Sequence, residues 1–130
     1  QRLVRLVCPQ CREEYVPSDE LLQEFFREPP KDLRYFRGQK CSACNYTGYK
    51  GRVAAAQLWS PNDNDILLIN KGASADDLRK SSYASTVLML DEAMKLLRDG
   101  KTNLEELMRA LPYNNIYESR TVAAAAGPAS

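Results

Sequence analysis

The sequence predicts an α+β fold, mostly helical, in which a tetracysteine knuckle subdomain with a short strand segment is followed by a small helical bundle. All four cysteines fall within the first 44 residues, as two Cys-x-x-Cys pairs, whereas capped stretches of helical apolar spacing fill the second half. A length of 130 residues suits one compact module. We therefore predict a cysteine subdomain at residues 1–58, a helical bundle at 59–117 and a disordered tail at 118–130.

The first half is expected to hold one inserted helix and one strand. The apolar-rich stretch Leu3–Val7 is compatible with a helix end or a short strand, and periodicity cannot decide over so few residues. A capped amphipathic helix is predicted over Ser18–Arg27, stopped by Pro29, with one further helical turn at Asp32–Phe36. The glycine-bounded segment Tyr49–Trp59 favours a strand.

Four short helices are predicted in the second half, from apolar residues at helical spacing together with start and stop signals. The start signals are Asn62 or Asp63, Ser74 with Asp77, and Thr102 with Glu105, and the stop signals are Gly72, Gly100 and Pro112. The third of these helices is predicted over Thr86–Arg98 from its spacing.

The composition excludes several kinds of chemistry. The chain has no histidine, which removes Ser-His and Cys-His nucleophile pairs and histidine-ligated metal sites. It also has no apolar run of the ~20 residues that a bilayer span needs and no visible signal peptide, so we expect a soluble protein. Because the chain begins at Gln1 and its first methionine is Met89, we expect it to be part of a larger protein.

The cysteine spacing predicts a metal site. Cys8 and Cys11 form one pair and Cys41 and Cys44 the other, with 29 residues between the pairs. Two such turns facing each other form a zinc-knuckle site with four sulfur ligands, and the inserted helix takes up the long gap. Four thiolates leave no position for water, so the zinc is expected to be structural and no catalytic residue is predicted. Two disulfides or a redox Cys-x-x-Cys are the less favoured alternatives.

A basic run extends from Lys31 to Arg52, with six basic residues against Asp32 alone. The favoured interpretation is a solvated surface whose positive charge offsets the −2 charge of a zinc ion bound by four thiolates. The residues expected to provide this charge are Arg12, outside the run, and Arg37, Lys40 and Lys50 within it. A nucleic-acid face is the rival interpretation, because tyrosine and phenylalanine interleave with the charges. An anionic lipid surface is a third possible partner.

A longer motif surrounds the cysteines and identifies a family. The string Cys8-Pro-Gln-Cys11, followed by Cys41-Ser-Ala-Cys44-Asn-Tyr-Thr-Gly-Tyr-Lys-Gly-Arg52, resembles the tetracysteine segment of the traffic ATPases of bacterial type II secretion and type IV pilus assembly. The resemblance continues through Thr102-Asn-Leu-Glu-Glu-Leu107 and covers roughly residues 1–112.

The resemblance implies a setting for the parent protein. Members of this family form hexameric rings on the cytoplasmic side of the inner membrane, where they contact platform proteins and use ATP with magnesium. Their Walker motifs lie upstream of the cysteines, and none is found in this sequence, so the ATP and magnesium sites are expected outside it. The expected role is structural and partner-contacting. The alternative is a stand-alone zinc-ribbon module that binds nucleic acid.

Overall fold

The computed structural model of the chain describes residues 1–26, 28–82 and 86–111, with the backbone alone for residues 86 and 87. The described ranges contain five α-helices and six short strands, which confirms the predicted α+β class. In chain order the elements are β1 (Arg2–Val7), β2 (Arg12–Tyr15), α1 (Asp19–Phe25), β3 (Tyr35–Gly38), a 3₁₀ turn (Ser42–Cys44), β4 (Tyr49–Ala55), β5 (Leu58–Trp59), α2 (Asp63–Asn70), α3 (Ala75–Ser82), β6 (Thr86–Val87), α4 (Met89–Arg98) and α5 (Leu104–Ala110).

The strands form three two-stranded antiparallel sheets, β1 with β4, β2 with β3, and β5 with β6. The segment Leu3–Val7 is therefore strand, resolving the ambiguity of the sequence. In the β1–β4 pair Arg5 lies opposite Arg52, and the register shifts between Arg5 and Val7. The β2–β3 pair brackets α1, so the inserted helix lies in the connection between two strands.

The outer edge of β1 is covered by the segment that leads into α5. The Val7 amide donates to the Lys101 carbonyl at 2.8 Å, and the Thr102 hydroxyl donates to the Arg5 carbonyl at 3.0 Å. The Arg5 amide donates to a carboxylate oxygen of Glu106 at 2.9 Å. Exposed strand edges are prone to pair with other chains. These contacts therefore satisfy the backbone hydrogen-bonding groups on the outer edge of β1 and protect that edge from such pairing.

One apolar core joins the cysteine half to the last two helices. Its fully buried members come from β1, α1, β4, α4 and α5. They are Val4, Phe25, Ala55, Ala93, Leu97, Leu104 and Leu107. This core draws on residues from both sides of position 58, and the division at 58 stays a prediction.

The helical turn predicted at Asp32–Phe36 is wrong. Tyr35–Gly38 is strand β3 instead, and it pairs with Arg12–Tyr15, a strand that the sequence analysis did not anticipate. Pairing in this register buries Tyr35 in the core, so a tertiary contact overrides the local helical signal.

Two other boundaries differ for a related reason. The strand predicted over Tyr49–Trp59 is broken after Ala55, and its last two residues pair with Thr86–Val87. Because that pairing uses the first residues of the predicted third helix, α4 begins at Met89. A short sheet has replaced one helical turn.

Most helix caps follow the sequence. The side chains of Ser18 and Asn62 each accept a hydrogen bond from the backbone amide three residues later. Ser74 and Asp77 form hydrogen bonds with each other, as predicted. The predicted Thr102 cap is wrong, because Asn103 caps α5 while Thr102 bonds to β1. The four helices of the second half are confirmed. Arg27, Pro112 and the predicted tail lie outside the described residues.

Candidate metal centre

Two turns from separate parts of the chain carry the cysteines. Cys8 directly follows β1 and Cys11 precedes β2, while Cys41 and Cys44 bracket the short 3₁₀ turn. Backbone hydrogen bonds hold the turns against each other, from the Cys8 amide to the Gly48 carbonyl and from the Gln39 amide to the Cys11 carbonyl, both at 2.9 Å. The sheets β1–β4 and β2–β3 thus bring the two pairs together.

The four sulfur atoms have the spacing of a tetrahedral ligand set. The Sγ atoms of Cys8 and Cys41, of Cys11 and Cys44, and of Cys41 and Cys44 are each 3.9 Å apart, and all four lie within 4.8 Å of one another. Zinc–sulfur bonds of ~2.3 Å at tetrahedral angles place sulfurs about 3.8 Å apart. A disulfide requires about 2 Å, and all four cysteines are free. The donor set therefore fits a metal such as zinc.

Backbone amides tune the thiol of Cys44. Burial raises its pKa, but amide donors from Gly48 and Cys41, each 3.3 Å from Sγ, outweigh this and lower the pKa to about 6. Burial and a hydrogen bond with Cys41 raise the pKa of Cys11 to about 11. One thiolate is thus stabilised by the fold itself, and a cation among the sulfurs would stabilise the others in the same way.

Close backbone packing brings the second turn against β3. A Cβ atom at Gly38 would clash with the Gly48 carbonyl oxygen, and Gly48 itself has φ +83°. No side chain fits between these two glycines. The turn also holds Asn45 and Tyr46 at left-handed φ angles of 50° and 60°. Its shape depends on these local constraints as well as on the sulfurs.

The basic run carries less free charge than its composition suggests. Arg34 pairs with Glu14, with 2.6 Å between Nη2 and Oε2, and Arg37 pairs with Glu13 at 2.9 Å. These pairs hold the pKa of both carboxyl groups below its usual value. Both acids lie on β2, outside the run, so the interpretation of Arg37 as a charge reserved for the thiolates needs revision.

A buried ionic cluster escaped the sequence analysis altogether. Glu106 is fully buried, and its carboxylate accepts from Nε of Arg5 at 2.8 Å and from Nε of Arg109 at 2.9 Å. Burial raises the pKa of Glu106, but these hydrogen bonds outweigh it and lower the pKa to about 2. No local pattern could reveal this contact, because Arg5 and Glu106 are 101 residues apart.

Comparison with known proteins identifies the family to which this chain belongs. A family profile described as type II/IV secretion system protein matches residues 1–109, which is most of the chain. The chain belongs to the type II/IV secretion system protein family. The match confirms the resemblance inferred from the cysteine motif.

Individual relatives agree with the family. The chain is 35% identical over 109 residues to the type II secretion system ATPase E of Vibrio cholerae, and 31% identical to the type II secretion system protein E of Dickeya dadantii. Each match covers 84% of this chain and 22% of the relative. The type IV pilus assembly ATPase PilB of Thermus thermophilus is 32% identical over 111 residues, covering 83% of this chain and 12% of its own length. The chain thus spans about a fifth or less of these curated relatives.

No helix in the described ranges combines the length and the apolar character that crossing a bilayer requires.

Proposed function

We propose that this chain is the C-terminal metal-binding portion of a hexameric traffic ATPase that powers type II protein secretion or type IV pilus assembly. The observation that carries the proposal is a cluster of four cysteines, with all sulfur atoms within 4.8 Å of one another, in a chain belonging to this family. The relatives are themselves named as secretion or pilus assembly ATPases. We place the parent protein in the cytoplasm, at the periphery of the inner membrane, in contact with platform proteins of the machine.

The metal in this proposal is structural zinc, held by Cys8, Cys11, Cys41 and Cys44. Sulfur spacing near that of a tetrahedron supports it, as does the absence of histidine from the chain. Four sulfur ligands leave no place for a reacting water. The zinc would clamp the end of β1 to the start of β4 and stabilise the sheet on which α5 packs.

Catalysis is assigned to another part of the parent protein. The sequence contains no Gly-x-x-x-x-Gly-Lys followed by serine or threonine, the loop that holds nucleotide phosphates in motors of this kind. ATP and magnesium would therefore bind elsewhere in the parent. A nucleic-acid role is less well supported, because Arg34 and Arg37, which that role would use, are paired with glutamates.

An exposed apolar surface on β5 and α2 supports the contact role. Leu58 is 65% exposed and Leu67 is 56% exposed, with Trp59, Ile66 and Ile69 nearby in the same elements. Single exposed apolar residues are common on soluble proteins, whereas several gathered in one region mark contact sites. We assign this surface to contacts within the ring, made with the nucleotide-binding part of the parent protein.

Metal analysis tests the zinc assignment. Protein purified without chelator should contain about one equivalent of zinc by plasma emission. Cys41→Ser should lose most of that zinc and melt the first half of the chain, because structural zinc contributes about 10 kcal/mol of apparent folding free energy. The matched control is Ser42→Ala in the same turn, which should keep its zinc. Less than about half an equivalent in the wild type, with disulfides in place of thiols, would rule out the assignment.

Ring assembly tests the contact role. In the parent protein, Leu67→Ser with Ile69→Ser should lower both the hexamer fraction and ATP hydrolysis by about tenfold, since each buried apolar side chain contributes about 1.5–3 kcal/mol. Lys71→Ser, at the end of the same helix, should change neither. In the isolated chain the double variant should melt as the wild type does, because both side chains are half exposed. Normal assembly of the double variant would refute this contact.

A further inference from the structure

We propose that a cleft lined by three arginines binds the phosphate group of a phosphomonoester. The proposed function gives this cleft no role. The cleft has a volume of about 350 Å³ and is lined by Leu3, Arg5, Arg52 and Arg109. Three of its four lining side chains are guanidinium groups, which match phosphate oxygens with paired N–H donors.

The strand register places two of the arginines side by side. Arg5 on β1 lies directly opposite Arg52 on β4, so both side chains project from the same face of the sheet. Like charges directly opposite each other in an antiparallel pair destabilise that pair. An anion held between the two guanidinium groups would remove this repulsion.

Glu106 fixes two of the three guanidinium groups in place. It accepts from Nε of Arg5, whose Nη2 also lies 2.7 Å from the same carboxylate, and from Nε and Nη2 of Arg109. The Arg5 guanidinium also lies over the Tyr49 ring, 4.2 Å from its centroid. Each guanidinium carries five N–H donors, so at least three remain on each of these two arginines for a ligand. Because the fold holds both groups, little side-chain entropy is lost on binding.

The charge of the cleft matches a phosphomonoester. Three guanidinium groups and one carboxylate give a net charge of +2 by counting, and a phosphomonoester carries about −1.5 to −2 at neutral pH. Among the described residues the Arg52 guanidinium is found in no side-chain hydrogen bond or ion pair, and its side chain is exposed, which leaves its charge for a ligand. Leu3, which is 55% exposed, provides an apolar wall for the carbon part of an ester.

The phosphate has two possible sources with the same chemistry. One is a soluble phosphate ester, and the other is the headgroup of a phosphatidic-acid type of lipid. Both present a terminal phosphate with two or more free oxygens, which is what the forked donors of the cleft recognise.

Binding to the full chain tests the site. The soluble probes are inorganic phosphate and glycerol 3-phosphate, followed by calorimetry at constant ionic strength. The membrane probe is a phosphatidylcholine vesicle with and without phosphatidic acid, followed by flotation. Arg52→Gln should weaken binding of the responding probe by about tenfold, because it removes one guanidinium that makes no side-chain hydrogen bond or ion pair within the described residues. The matched control is Arg98→Gln, an exposed arginine at the end of α4 with the same loss of charge.

The outcomes are distinguishable. Binding of glycerol 3-phosphate that Arg52→Gln weakens and Arg98→Gln leaves within about twofold supports the site with a soluble ester. The same pattern confined to phosphatidic-acid vesicles supports it with a lipid headgroup. Absence of binding with every probe, or equal weakening by both variants, overturns the proposal. Zinc content and ring assembly do not depend on Arg52 in the proposed function, so that function can stand or fall separately.

Discussion

Two buried carboxylates occupy the same position in two helices and are held in opposite ways. Asp65 in α2 and Glu106 in α5 each lie three residues after an asparagine cap, and both are fully buried. The Asp65 carboxylate accepts a hydrogen bond from the Asn62 amide, which completes a capping box, and it also accepts from the hydroxyls of Ser81 and Ser82. The Glu106 carboxylate instead accepts hydrogen bonds from Arg5 on the distant strand β1.

The difference lies in what the partners contribute. The partners of Asp65 are neutral and belong to the same region of the chain, so the cluster ties α2 to α3. The partners of Glu106 include two charged arginines, and Arg5 lies 101 residues away. Since Glu106 also covers the edge of β1, its contacts join the two ends of the described chain. A locally satisfied carboxylate orders one region, whereas an ionic one joins remote regions.

Of the changes at these two carboxylates, Glu106→Gln has the larger expected effect. The variant leaves Arg5 and Arg109 without their charge partner, which we expect to lower the free energy of unfolding by about 2–4 kcal/mol. The two arginines are 37% and 53% exposed, so water offsets part of the loss. Denaturant titration measures the change, and hydrogen exchange should accelerate in β1 and α5. A variant as stable as the wild type would show that the ionic contacts contribute nothing net.

Acid should reveal the same contact. Since the pKa of Glu106 is lowered to about 2, its contribution to stability is complete above the usual glutamate value of ~4.3 and is lost as pH falls toward 2. At pH 4 the carboxylate should still be ionised, whereas glutamate in an unstructured reference peptide is about two-thirds protonated. Carbon-detected NMR titration of the Glu106 side chain measures this. Titration together with the reference peptide would contradict the ionic interpretation.

A smaller and more local effect is expected for Asp65→Asn. The side-chain oxygen of the new asparagine can still accept from the serine hydroxyls, but its NH2 group would face other hydrogen-bond donors and find no acceptor there. We expect a loss of stability less than about half that of Glu106→Gln, with faster hydrogen exchange in α2 and α3 only. Faster exchange in β1 as well would erase the distinction between the two carboxylates.

The sequence could predict features whose determinants are local. The spacing of Cys8 and Cys11, and of Cys41 and Cys44, predicted that each pair would present its two sulfurs from one turn, and this much is local; the meeting of the two pairs depends on the sheets. Helix starts at Ser18 and Asn62 were also predictable, since a cap and its amide partner are three residues apart.

Features that depend on distant pairing could not be predicted in the same way. Thr102 and Asn103 are both good cap residues, and choosing between them requires knowing that Thr102 bonds to β1 and that Glu106 must face Arg5. Likewise β3 has a weak local signal and becomes a strand only because β2 lies beside it. The arginine cleft joins residues near positions 5, 52 and 109, which no window along the sequence contains.

The cover over the edge of β1 has a consequence for the order in which the protein can be made. All four cysteines have been synthesised once residue 44 is added, but the cover must wait for Lys101, which is 57 residues later. At about 5–20 residues per second, synthesis of that interval takes roughly 3–11 s. During that time the growing chain has its complete set of thiols but an uncovered strand. Metal capture can therefore precede completion of the core, and until the cover forms the free edge of β1 is open to pairing with a neighbouring chain.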